Sequence, residues 1–129
     1  MLITAEQKNL RQTARKVRLV ANSVKNLPLQ QAVQQLTLMP RRASEAILKV
    51  MQSAISNALN NRGLKIEDLK LKEIIVNDGA VYHRMQPGSR GRSKGLDKRT
   101  SHVRVALESV ENKKEVKAEK SKIISESKK

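Results

Sequence analysis

Residues 88–102 read GSRGRSKGLDKRTSH. The stretch holds Gly88, Gly91 and Gly95, three of the chain's five glycines, with five basic side chains and a single acid, Asp97. It interrupts two segments whose apolar residues recur at a period of two. "LKLKEIIV" (69–76) and "VRVALES" (103–109) are rich in β-branched residues, and Val103, Val105 and Leu107 alternate with Arg104, Ala106 and Glu108, the pattern of a half-covered strand. The two segments are expected to pair. Their connection, from Asn77 to about His102, opens on the turn signal Asn77-Asp78-Gly79 and far exceeds an ordinary hairpin loop. Folded back on itself at ~3.3 Å per residue, it projects roughly 30–40 Å as an arm.

Upstream the period is 3.6. Along "TARKVRLVANSVKNLP", Val17, Val20, Val24 and Leu27 fall on one side of a helix at 100° per residue, and Arg11, Arg15, Arg18 and Lys25 on the other. The reading is an amphipathic helix with a basic outer stripe, capped by the Thr13 hydroxyl and stopped by Pro28. A short helix follows over "LQQAVQQLTL", ending before Pro40. In "PRRASEAILKVMQSAISNALNNRG", the apolar positions Ala43, Ile47, Val50, Met51, Ala54, Ile55, Ala58 and Leu59 mark a long helix. Pro40 suits its first position and Gly63 its C′ position. A strand within residues 2–12 adds a third member to the sheet. Beyond Ser109 the Lys/Glu-rich run "VENKKEVKAEKSKIISESKK" has too few apolar residues to dock. The organisation is therefore one domain over 1–109, including the arm at about 77–102, and a charged tail over 110–129.

Composition sets the partner class. The net charge is +15 over 129 residues, far more than solubility requires, and a field of that sign gathers polyanions. Nucleic acid leads. With no cysteine and two histidines, neither a disulfide framework nor a thiolate metal site is available, and no cofactor is expected. No basic n-region precedes an apolar run, and no apolar run reaches membrane-spanning length, so a soluble, intracellular chain without a membrane partner is expected.

Catalytic readings are weak. The glycines of "GSRGRSKG" lack the phosphate-loop spacing. His83 and His102 have no carboxylate placed nearby in sequence to orient either ring, so an acid–base pair is not expected. The arm is more informative. From Gly79 through Arg104 stand seven Lys/Arg and one acid, a segment that repels itself unless a polyanion neutralises it. Arg90 and Lys94 belong to this set, with glycines that let the backbone approach phosphates and arginines that offer forked donors. Tyr82 is the chain's one aromatic residue, too few for a sheet that reads single strands by stacking. Folded RNA, recognised by backbone and shape, fits better.

"TARKVRLVANSV", "RRASEAILKVMQSAISNALNN" and above all "GRSKGLDKRTSHV", in that order, resemble the bacterial large-subunit ribosomal protein twenty-two family over roughly residues 2–109. The resemblance implies an α+β fold, three helices packed on a small three-stranded antiparallel sheet with a long protruding β-hairpin arm. It implies a non-enzymatic, cytoplasmic constituent of the large ribosomal subunit that binds ribosomal RNA, bridges RNA domains during assembly and touches neighbouring ribosomal proteins. Arg15, Lys16 and Arg18 match the family's basic helix motif; Arg84, Arg92, Lys98 and Arg99, with Thr100, Ser101 and His102, match its RNA-facing hairpin motif. Gln86, Pro87, Gly88, Ser89, Arg90 and Gly91 fall at the hairpin tip, which in the family lines the exit tunnel beside the nascent peptide. The chain departs from the family where Thr13-Ala14 replaces Ser-Pro, and where Gln86 and Gly88 rather than arginines flank Pro87. The alternative is a helix-turn-helix DNA-binding protein built from the three helices; it leaves the basic arm unexplained.

Overall fold

The computed structural model describes residues 1–109; the tail reading over 110–129 lies outside the described residues. Strand β1 (Leu2–Leu10) is followed by helices α1 (Ala14–Val24), α2 (Leu29–Leu38) and α3 (Arg42–Arg62), a 3-10 turn at Ile66–Asp68, and the long strands β2 (Leu69–Pro87) and β3 (Ser93–Ser109). The sheet is antiparallel with β3 central, in the order β1-β3-β2. The α+β expectation, three helices on three antiparallel strands with a long hairpin, is met.

Alternation along the strands decides which face the helices cover. Ile3 and Ala5 from β1, Leu69, Ile74 and Val76 from β2, and Val103, Val105 and Leu107 from β3 are buried together. Each is paired in register with its neighbour, Ile3 with Leu107, Ile74 with Val105 and Val76 with Val103. Opposed residues in antiparallel strands share a face, so this register brings the apolar set into one layer. Helix α1 adds Val17, Val20 and Val24; α2 adds Leu29 and Leu36; α3 adds Ile47, Met51, Ala54 and Ala58. Alanine at four buried α3 positions (Ala43, Ala46, Ala54, Ala58) keeps that helix close to its neighbours.

The helix ends show what holds each one. At α1, Thr13 stands in the N-cap position with extended backbone, but its hydroxyl makes no cap bond; its carbonyl accepts from the N–H groups of Lys16 and Val17 instead. The helix ends at Val24, and Pro28 serves as the cap residue of α2. The long helix begins at Arg42, two residues after Pro40, with the Ser44 hydroxyl donating to the carbonyls of Met39 and Arg41. Its C-terminus matches the sequence reading. Gly63 has φ +61°, and the N–H groups of Gly63 and Leu64 donate back to Leu59 and Ala58, which satisfies carbonyls a straight helix would leave orphaned. Leu59 is exposed rather than part of the buried stripe. Near the start of α3, Lys49 donates to Glu45 at 2.8 Å; this hydrogen bond, and next the lysine's charge, hold the Glu45 carboxyl below its ordinary value.

The connection between the strands differs from the sequence reading in one respect. Asn77-Asp78-Gly79 is not a turn: β2 runs through it, with an irregularity in register between Asp78 and Val81, and pairing with β3 continues to Pro87↔Ser93. A strand carrying one extra residue bends and twists, so the turn-forming residues mark the point where the ribbon leaves the body. A Cβ on Gly79 would stand 2.5 Å from the Thr100 hydroxyl, so the glycine permits the close approach of the strands there. The true turn is Gly88–Arg92, closed by the Gly88 N–H donating to the Arg92 carbonyl at 2.6 Å. Arg90 and Gly91 both adopt left-handed φ, 55° and 69°. From Val81 to the turn the ribbon spans roughly 20–25 Å at ~3.3 Å per residue.

Val20 is fully enclosed in this core. Val20→Asp buries an unpaired carboxylate at a cost of several kcal/mol. Circular dichroism should show loss of the cooperative thermal transition, and retention of a sharp melt would disprove this assignment of the buried face of α1.

A candidate RNA interface at the root of the arm

The turn of α1, the chain after β1, the start of α3 and the first rungs of the arm enclose an open groove of about 1420 Å³. Arg11, Arg15 and Lys16 come from the α1 side, Arg41 and Arg42 from the start of α3, and Arg84, Lys98 and Arg99 from the arm. Among the described residues, Asp97 is the one acid in the lining. All eight cations are exposed. Like charges gathered around one concavity focus a positive potential there, and their guanidinium and ammonium groups suit phosphate oxygens.

The remaining candidates from the sequence are distributed differently. Arg18 turns its guanidinium to the root of β2: Nε donates to the Val76 carbonyl at 3.0 Å and the Nη2 group to Asp78 at 2.9 Å. It thus ties α1 to the strand at the point where the arm departs. Lys25 caps the far end of α1, away from the groove lining. Arg90, Arg92 and Lys94 are exposed at or next to the turn. Gln86, Pro87, Gly88, Ser89 and Gly91 are exposed there as well.

Thr100, Ser101 and His102 sit inside the joint between arm and body. Thr100 is buried and its hydroxyl donates to the Ala80 carbonyl at 2.8 Å. Ser101 is fully buried. His102 uses Nδ1 to accept the N–H of Asn9 at 3.0 Å, where Asn9 takes a left-handed φ of 55° and the β1–β3 register shifts. Since Nδ1 accepts, the ring proton resides on Nε2 in this arrangement. These three side chains thus lie within the joint between arm and body, while the neighbouring Lys98 and Arg99 line the groove.

Two features lay beyond the sequence reading. Arg41 and Arg42 read as the start of a helix, and only the packing of α3 beside the arm brings them into the groove. Asp97 reads as an isolated acid, yet the register places it opposite His83, with Oδ1 2.7 Å from Nδ1. The absence of an orienting carboxylate for His83, inferred from sequence neighbours, is corrected by this cross-strand pair. His83 is highly exposed at 79% of its side chain, and the pair forms on the ribbon surface.

A small α+β body that carries a cation-lined groove and a basic two-stranded arm has the charge and shape of a nucleic-acid-binding protein. The model of the family described as Ribosomal protein L22p/L17e matches residues 5–108, and the chain belongs to that family. Proteins of this family are structural constituents of the large ribosomal subunit, and the chain accordingly binds ribosomal RNA and resides in the ribosome. The match spans body, groove and arm together. Membership decides against the helix-turn-helix alternative.

Charge reversal at Arg15, Lys16 and Arg42 should weaken binding of large-subunit ribosomal RNA by at least tenfold in filter binding and leave helix content unchanged, because all three are exposed. Loss of helix signal would show that these side chains support the fold. Thr100→Val should cost about 1 kcal/mol in denaturant unfolding, the usual net value of one hydrogen bond; an unchanged midpoint would show that the Ala80 carbonyl finds another donor.

Proposed function

We propose that the body docks on the subunit through the root groove while the arm extends between RNA segments, so that one protein holds RNA domains together during assembly. The observation that carries this reading is the distribution of charge along one continuous ribbon. Arg84, Lys98 and Arg99 lie at its root, and Arg90, Arg92 and Lys94 at its end, with the paired backbone between them. A cationic strut of roughly 20–25 Å reaches phosphates that a compact body would not. The turn, Gln86 through Arg92, is small, exposed and glycine-containing; it lines the nascent-peptide exit tunnel and meets the nascent peptide. The helical side of the body faces neighbouring ribosomal proteins. In this scheme the cations at the root carry most of the affinity, and the turn decides local tunnel shape.

Two variants separate the roles. Met85 and Gly95 are cross-strand partners, so replacing residues 86–94 by Asn-Gly closes the ribbon with a two-residue turn and keeps the register below it. This shortened protein should enter large subunits at near-normal yield on sucrose gradients, and crosslinking of a stalled peptide to the arm should be lost. Arg84, Lys98 and Arg99 changed together to Ala should instead reduce incorporation. The reverse pattern would overturn the proposal. For the purified protein, the logarithm of RNA affinity should fall steeply with the logarithm of salt, by roughly 0.7–0.9 for each phosphate neutralised; a flat dependence would remove its electrostatic basis.

A further inference from the structure

Tyr82 is the chain's only aromatic residue, with no Trp or Phe present. A tyrosine ring ordinarily buries part of its surface against the core. Here the ring stands outside it, 45% exposed on the arm, and forms part of the groove lining. Its surroundings are cationic. The Arg84 guanidinium lies 5.9 Å from the ring centroid, Lys98 is its cross-strand partner and therefore on the same face of the ribbon, and Arg15, Lys16 and Arg42 line the same groove.

We propose that Tyr82, layered with Arg84, is a stacking platform for one unpaired RNA base, and that the surrounding cations hold the phosphates on either side of that nucleotide. The inference rests on the RNA-binding reading of the groove and adds the kind of RNA it accepts. Phosphate contacts alone need only charge, and a lysine or arginine at position 82 would serve them better than a phenol. An exposed π-face among cations offers something they do not, a flat surface for a base, and every base presents a face to stack on. Arg84 extends that surface, since a guanidinium plane stacks both on aromatic rings and on bases. A base within an intact duplex has both faces occupied by its neighbours, so the platform selects a bulged, looped or otherwise unstacked nucleotide. The ribbon fixes the ring in place: position 82 is held by pairing with Lys98, and the Arg84 Nη1 group donates to the His83 carbonyl at 2.9 Å.

The composition supplies the assay. With one tyrosine and no tryptophan, the intrinsic fluorescence of the whole protein reports Tyr82 alone. The full chain is titrated with two synthetic RNA hairpins of equal length and charge, one fully paired and one carrying a single unpaired adenosine, and with large-subunit ribosomal RNA. Tyrosine emission should be quenched strongly by the bulged hairpin and by the ribosomal RNA, and weakly by the paired one. Tyr82→Leu should weaken binding to the ribosomal RNA and the bulged hairpin by about five- to 150-fold, the range expected for loss of one base–aromatic stack. Its slope of affinity against salt should equal that of the unchanged protein, because no phosphate contact is lost. Tyr82→Phe should bind as the unchanged protein does, since stacking needs the ring and not the hydroxyl. Equal quenching by both hairpins, or full affinity in Tyr82→Leu, overturns the platform while a steep salt dependence leaves the groove's RNA reading standing. A lower salt slope in Tyr82→Leu, or loss of affinity in Tyr82→Phe, would mean the residue serves phosphate contacts and likewise overturns it. Failure of the unchanged protein to bind any of the three RNAs overturns the underlying RNA reading itself.

Discussion

Antiparallel pairing between β2 and β3 is the interaction on which the rest of the molecule depends. It starts in the core at Leu69↔Ser109 and ends at Pro87↔Ser93 beside the turn, so body and arm are two parts of one ladder. An isolated two-stranded ribbon is marginal in water, and beyond Val81 the arm buries almost nothing. What stabilises it is the anchored end. There Val76 and Val103 are paired and buried beneath the helices, which fixes the register for every rung further out. The irregularity at Asp78–Val81 then directs the ribbon away from the sheet without breaking its pairing.

Magnitudes distinguish what holds the joint from what decorates it. The Arg18–Asp78 ion pair is close, but its partners are 46% and 72% exposed, and exposed pairs contribute about 0–1 kcal/mol. Burial of a side chain the size of valine contributes about 1.5–3 kcal/mol, and the joint contains several. The aliphatic contacts therefore hold the arm to the body, and Arg18 refines the angle at which α1 meets it. Its second hydrogen bond, to the Val76 carbonyl, gives that angle direction. The same order applies to the joint's other polar residues: Thr100 and His102 hydrogen-bond across it, and Ser101 is buried with its hydroxyl unpaired.

Charge has the opposite role. Among the described residues, eight cations surround one groove with only Asp97 among them; they lower the stability of the free protein by mutual repulsion, and exposed side chains keep that repulsion modest through solvent screening. In the proposed docking of the groove, an RNA backbone removes it and releases counterions as it does so. Function and stability are thus divided between the two ends of the same strands: β-branched residues where β2 and β3 cross the body, basic and small residues where they leave it.

Local pattern determined much of this. The alternation of Val103, Val105 and Leu107, the 3.6-residue repeat from Ala43 to Ala58, Gly63 at the helix end and the basic run in the arm each act within a few residues, so the sequence by itself specifies the elements, the buried faces and the polyanionic partner. Similarity of the hairpin motif to a known family extended the reading to the ribbon as a whole. Tertiary structure decided the rest. Asn77-Asp78-Gly79 has the composition of a turn and becomes an irregular rung, because two long strands gain more by continuing to pair than by reversing there. Thr100 and Ser101 belong to a motif that the family resemblance reads as RNA-facing, yet both are buried, because the arm's root folds against β1. Arg41 and Arg42 reach the groove only through the packing of α3, and Asp97 meets His83 only through a register that joins residues 14 apart in sequence. Periodicity is a property of neighbours along the chain, whereas a groove or a cross-strand pair belongs to residues brought together when the core closes.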